Sequence, residues 1–489
     1  MSSIEEVELA SRIPLPASSS TLYLEENAEA SSLNESALPP TDKGSGAWSF
    51  LAAAFVVEAF VWGFPNTYGV FLDCKHLTRL SVEASEFVRE AYLQDSRFSS
   101  QQSATSLLPL IGTLSTGIIY CSGPFLNPIA ARYPQHRRKS MWFGAVLCCA
   151  TLIGASYATK ITQLVVLQGV FYGIGASLVY LQCLSYLSEW FVARRGFANG
   201  ILFAGTSFGG LFLPLIMPRL ISHYGTSLTL RIWSISTAIF MAPLLPFIKG
   251  RLPSSRVHVH GPLPRGTSTS QSWMRNRLFL LFLAANTIQG FAYFVPIVYL
   301  PTFASDLQVS RSNSAVTLSL LNGASVVGRL SMGYLADKFN PWILALTSLF
   351  GTSIITFILW GVFSHSLPGL LAFGLAYGSS ASGWTSLWTS FVRPLAKDDP
   401  GLSTSIYGYL SLSRGIGNIV SAPISAKLYS VANNVTSLGV ERNSSTGFGV
   451  GEGRFEKMII YVGTCFAGAG GIAVLGWAMD RRTGWSRRG

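Results

Sequence analysis

Twelve apolar runs follow one another along this chain, each near the ~20 residues a helix needs to cross a bilayer. Hydrocarbon offers no partner to backbone N–H and C=O groups, so runs of this kind are confined to helices that close every backbone bond internally. They fall near 47–71, 104–127, 140–159, 162–187, 197–221 and 229–248, and again near 278–303, 314–335, 341–363, 367–392, 402–430 and 457–479. Charged residues make up 12% of the chain, against about 25% in soluble domains, which excludes a soluble enzyme. The expected fold class is an all-α membrane protein with 12 transmembrane helices in two six-helix halves.

The polar segments set the domain plan. Residues 1–46 are rich in Ser, Glu, Ala and Pro and read as a disordered cytoplasmic tail. An N-terminal half follows at 47–248, a cytoplasmic linker at 249–277, a C-terminal half at 278–480 and a short cytoplasmic tail at 481–489. The first long apolar run begins only near Ala47, so no cleavable signal is expected. A net charge of +12 would suggest nucleic acid in a soluble protein, but here it follows topology. With the N-terminus inside, 22 of the 35 Lys and Arg residues lie in inside segments and 12 in outside ones. Both termini are therefore expected in the cytoplasm, with the plasma membrane as the expected location and no nucleic-acid partner. Asn434-Val435-Thr436 and Asn443-Ser444-Ser445 match glycosylation acceptors and fall outside.

No Cys pair has metal-ligand spacing with a histidine, and the six histidines fall in loops or at span ends. Neither a metal, a cofactor nor a membrane-embedded enzyme is expected. No phosphate-binding loop is present, which argues against ATP-driven pumping.

Three motifs narrow the reading. Gly328-Arg329-Leu330-Ser331-Met332-Gly333-Tyr334-Leu335-Ala336-Asp337-Lys338 joins two apolar runs through a short charged turn, and Pro341 opens the next helix. It resembles the loop between the second and third helices of each half in the major facilitator superfamily. Asp42-Lys43-Gly44-Ser45-Gly46-Ala47-Trp48, continued by Gly63-Phe64-Pro65-Asn66-Thr67-Tyr68-Gly69-Val70-Phe71, resembles the first-helix signature of the monocarboxylate porter family. Trp190-Phe191-Val192-Ala193-Arg194-Arg195-Gly196-Phe197-Ala198-Asn199-Gly200 is similar to that family's second signature. With the Arg414-Gly415-Ile416-Gly417 run, the chain looks most like fungal members. The resemblance implies a major facilitator fold, and a transporter of a small organic solute that works by alternating access.

Charges at bilayer depth are costly and mark candidate sites. Glu58 stands midway along the first span, one turn before Trp62 and two before Asn66; Arg414 stands midway along the eleventh. The resemblance implies a central cavity lined by the first, fourth, seventh and tenth helices. Those spans offer Tyr172, then Asn286, Gln289 and Tyr293 on one helical face, and Trp384. Together with Glu58, Trp62, Asn66 and Arg414 these are the candidate solute contacts. Arg329, Asp337 and Lys338 are the candidate gating residues. Animal members of the family carry Lys where this chain has Asn66 and Asp where it has Ser325, so the charge pair of proton–lactate symport is absent. The expected partners are the bilayer and a small organic solute, with a carboxylate as one candidate class and the proton as a candidate coupling ion. Export of a fungal secondary metabolite is the leading expectation, and uptake of a monocarboxylate or vitamin the alternative. A transporter-like receptor is the alternative of another class; it is disfavoured by the nine residues after Asp480.

Overall fold

The computed structural model describes residues 38–72, 104–252, 272–309, 311–396, 399–436 and 445–483. Every long apolar run becomes helix. In chain order these are α1 (Gly44–Leu72), α2 (Ala104–Cys121), α3 (Gly123–Arg132), α4 (Arg137–Ser156), α5 (Ile161–Trp190), α6 (Arg195–Met241) and α7 (Arg277–Asp306). They continue with α8 (Arg311–Ala336), α9 (Pro341–Phe363), α10 (Leu367–Ser382), α11 (Trp388–Ala396), α12 (Pro400–Thr436) and α13 (Glu456–Thr483). Among the described residues, seven stretches are both long and apolar enough to cross a membrane.

The differences from the expected spans have local causes. The fifth and sixth runs merge into α6, whose 47 residues bend at Gly225, where φ is +72°. That left-handed conformation is open to glycine at little cost. The second run is split at Ser122, ahead of Gly123-Pro124. The tenth is interrupted by a 3₁₀ turn at Gly383–Leu387 between α10 and α11. Helix starts follow capping rules: the Asn276 side chain accepts from Leu278 and Phe279 amides, and Asn340 accepts from Trp342 with Pro341 in the first turn. Asn434 falls at the end of α12, and Asn443 lies outside the described residues.

Small residues let the helices meet backbone to backbone, as packing in lipid favours. Along the α6–α8 seam, a Cβ added at Gly333 would stand 2.6 Å from the Gly196 carbonyl oxygen. On the α3–α12 seam, a Cβ at Gly123 would stand 2.7 Å from the Gly408 Cα. There the Asn127 amide also donates to the Thr404 carbonyl at 2.8 Å.

A buried ion pair ties the start of α4 to the end of α5. Arg137 meets Glu189 at 2.8 Å, donates to Gln182, and stacks over the Tyr186 ring at 4.3 Å. The other Glu189 oxygen accepts from the Leu252 amide at 3.2 Å. Removing one partner strands the other charge, so Glu189→Leu should lower stability by about 3–5 kcal/mol. Much of that should return in the Arg137→Leu/Glu189→Leu double variant, because paired burial itself is close to neutral. Thermal melting of the purified protein checks this; equal losses in the single and double variants would contradict it.

Candidate solute site

The centre of the helix bundle is built by α1, α2, α5, α6, α7, α8 and α12. From α12, Arg414 is 1% exposed. Its guanidinium donates to Gln289 Oε1 of α7 at 2.7 Å and lies 4.3 Å over the Tyr293 ring. From α8, Arg329 is 7% exposed; it donates to the Tyr293 hydroxyl at 3.1 Å and to the Phe203 carbonyl and Thr206 hydroxyl of α6. Tyr293 is therefore shared by two guanidinium ions. Thr206 in turn offers its carbonyl to the Asn66 amide of α1 at 3.0 Å. A continuous polar chain runs Asn66–Thr206–Arg329–Tyr293–Arg414–Gln289 through the interior. Tyr377 of α10 supports it by donating to the Tyr293 carbonyl at 3.0 Å.

Facing this chain is an aromatic wall. Trp62 packs on Tyr120 at 4.8 Å and on Tyr180 at 5.5 Å, and Tyr180 leads on to Phe203. Tyr120 lies beside Arg414 because Gly415 lets its backbone in: a Cβ there would stand 2.7 Å from the Tyr120 Cβ. Glu58 is fully buried one turn before Trp62, with the Cys183 thiol and the Trp62 indole as polar neighbours. Several enclosed polar atoms here meet no hydrogen-bond partner: both Glu58 oxygens, Trp62 Nε1, Gln289 Nε2, Arg329 Nε and Arg414 Nε. Buried polar atoms in this state are rare and costly.

Of the candidates read from the sequence, Glu58, Trp62, Gln289, Tyr293 and Arg414 meet at this centre, and Asn66 reaches it through Thr206. Asn286 and Trp384 stand differently. The Asn286 amide donates to the Leu410 carbonyl at 2.8 Å and to Ser413 at 2.6 Å, and accepts from Trp384 at 2.7 Å and Trp388 at 3.1 Å. All four of its bonds are used to pin α7, α11 and α12 and the turn before α11. Tyr172 donates to the Val61 carbonyl at 3.0 Å and clamps α5 to α1. Ser325 bonds back onto its own helix through the Leu321 carbonyl.

The gating candidates lie at one end of the α6–α8 seam. Both Asp337 oxygens accept from the first turn of α6, from Gly196 and Phe197 amides at 2.8 Å each. Asp42 caps the preceding residues of the same turn, accepting from Val192, Ala193 and Arg194. Two carboxylates thus share one helix start, where the helix dipole favours negative charge. Burial pushes the Asp337 carboxyl above its usual range, with the Phe197 and Gly196 amides and Arg393 opposing and Asp42 adding to the rise. Lys338 turns back to the Tyr334 hydroxyl and ring of its own helix. A cavity of about 360 Å³ adjoins this turn, lined among others by Arg195, Asp337, Lys338, Ser390 and Arg393.

Sequence reasoning missed Tyr120, Tyr180, Thr206 and the capping role of Asp42. A tyrosine inside an apolar span is a weak sign of a wet neighbour, and Asp42 stood in plain view within the first signature. Its partners could not be read, because they are amides about 150 residues away.

A profile of the Major Facilitator Superfamily matches residues 87–422. The chain is 29% identical over 401 residues to the MFS-type transporter hasB of Aspergillus fumigatus, covering 79% of this chain and 83% of that one. It is 28% identical over 400 residues to the fujikurins efflux protein of Gibberella fujikuroi, covering 81% and 78%. Among solved structures, it overlays on the proton:xylose symporter XylE with a TM-score of 0.57 at 15% identity, over 90% of this chain and 96% of that one. The expected fold class, 12 helices in the major facilitator arrangement, agrees with that overlay.

Proposed function

The chain belongs to the Major Facilitator Superfamily, and from that membership we propose that it exports a small organic metabolite across a membrane, as a monocarboxylate-porter-like fungal carrier. The observation that carries the proposal is the set of enclosed polar atoms without partners at the bundle centre, next to two guanidinium ions. A solute bearing acceptor oxygens satisfies the unpartnered N–H groups, and a midplane site between two moving halves is how carriers of this architecture work. In this reading the segments 47–248 and 278–480 rock about the centre. The naming of one relative as an efflux protein favours export over uptake. The two monocarboxylate-porter-like signatures touch through Asp42 and the Val192–Arg194 amides, which supports that finer assignment. The Lys and Arg distribution supports cytoplasmic termini, and the plasma membrane is the proposed location. Comparing metabolites inside cells and in the medium of a deletion strain tests the proposal. A compound should accumulate inside and fall outside; an unchanged profile overturns export.

Asp337 serves as a latch in the same scheme, closing one end of the α6–α8 seam. Asp337→Asn can accept from only one of the two amides with its single carbonyl oxygen. It should slow transport severalfold while leaving the protein folded. Spin-label distances across the seam and transport rates read this; normal turnover and an unchanged distance in Asp337→Asn would refute the latch.

A further inference from the structure

The central site combines two features that together specify a solute class, and we infer that the carried compound is a flat, conjugated organic anion. The inference rests on the reading of this centre as the solute site. The first feature is charge. Arg329 and Arg414 are buried at bilayer depth, and neither meets a carboxylate in an ion pair among the described residues. The ion pairs described lie elsewhere, at Arg137–Glu189 and Arg454–Asp306. Carbonyl, hydroxyl and amide oxygens are all that face the two guanidiniums, and each keeps an Nε–H without an acceptor. Glu58 shares this centre, but neither of its oxygens meets a guanidinium; a buried cation without a paired countercharge is costly, and an anionic ligand removes that cost.

The second feature is the wall opposite. Trp62, Tyr120 and Tyr180 meet at 4.8 Å and 5.5 Å with ring planes 51° and 82° apart, so the cluster already combines tilted and edge-to-face packing. Tyr293 adds a fourth ring beneath Arg414. A saturated body of equal size gains only buried area from such a wall. A planar π system gains offset or edge-to-face stacking as well, and a guanidinium stacks on its face. Arg414 is placed for both tasks, since Tyr120 lies beside it and Tyr293 below it. Gln289 Nε2 supplies a neutral donor for a further oxygen on the same body.

Equilibrium binding to the purified full chain in nanodiscs tests this without knowledge of the natural solute. The probes are 2-naphthoate, its saturated counterpart decalin-2-carboxylate, and the uncharged 2-naphthamide. We expect 2-naphthoate to bind roughly twofold to tenfold tighter than decalin-2-carboxylate, the scale of one stacking contact, and at least about tenfold tighter than 2-naphthamide, the scale of one buried charge contact. Arg414→Gln should erase the advantage over the amide, and Trp62→Leu the advantage over the saturated acid. The wild-type comparison stands alone if either variant fails to fold. Equal binding of decalin-2-carboxylate removes the conjugated requirement, and equal binding of 2-naphthamide removes the charge requirement; either overturns the inference. If no probe binds while the deletion strain still retains a compound, the solute class is wrong and the export reading survives. If no probe binds and the profile is unchanged, both fail.

Discussion

Arg414→Leu should reduce export of the carried metabolite by at least about thirtyfold with the protein still present in the membrane. Arg414 holds Gln289 at 2.7 Å and covers Tyr293, and its remaining Nε–H faces the centre without an acceptor. Removing one side of a buried charged contact costs about 2–5 kcal/mol, roughly thirtyfold to several thousandfold in affinity. Leucine is smaller and apolar, so it also leaves Gln289 without its partner. Arg414→Lys should fall between, because an ammonium keeps the charge but loses the planar fork that reaches Gln289 and stacks on a ring. Metabolite efflux normalised to membrane protein level is the measurement. Adding Glu58→Gln should deepen the loss. If efflux is unaffected when Arg414→Ala and Glu58→Gln are combined, the solute site lies elsewhere.

Gly333→Leu should abolish transport by holding the α6–α8 seam open. The approach there is reciprocal. A Cβ at Gly333 would stand 2.6 Å from the Gly196 oxygen and 3.0 Å from the Gly200 Cα, and one at Gly200 would stand 2.6 Å from the Arg329 oxygen. The obstacles are backbone atoms, so no rotamer change relieves them. Overpacking of this kind costs about 1–3 kcal/mol even where neighbours adjust. Here the adjustment separates α8 from α6 and lifts Asp337, four residues on, from the Gly196 and Phe197 amides. Spin labels at the exposed ends of the two helices should report a longer distance, with transport lost. An unchanged distance and normal transport would show that the seam tolerates side chains and does no gating.

Much of this was open to a reading of the chain alone. Periodic apolar length announced the helices, and Pro341 and Asn340 marked a helix start that the fold keeps. The Gly328–Lys338 turn identified the architecture before any contact was known. Arg414 and Glu58 stood out by depth, because a charge inside a span needs a reason. Asn286 shows where such reasoning stops. A polar amide on a cavity-facing stripe looks like a solute contact, yet its four bonds are taken by Leu410, Ser413, Trp384 and Trp388. Tyr172 is likewise engaged in holding helices together, its hydroxyl donating to the Val61 carbonyl.

The sequence by itself determined the class of fold, since hydrocarbon admits only helices for runs of this length, and small residues at fixed positions dictate where helices can touch. Only the tertiary structure decided which polar groups remain unpaired. Hydrogen-bond saturation depends on partners more than a hundred residues away: Arg414 with Gln289, Asn66 with Thr206, Asp42 and Asp337 with one helix start. Side-chain identity states what a residue can bond. Packing across the seams states what is left over, and the leftover groups at the centre are where a solute fits.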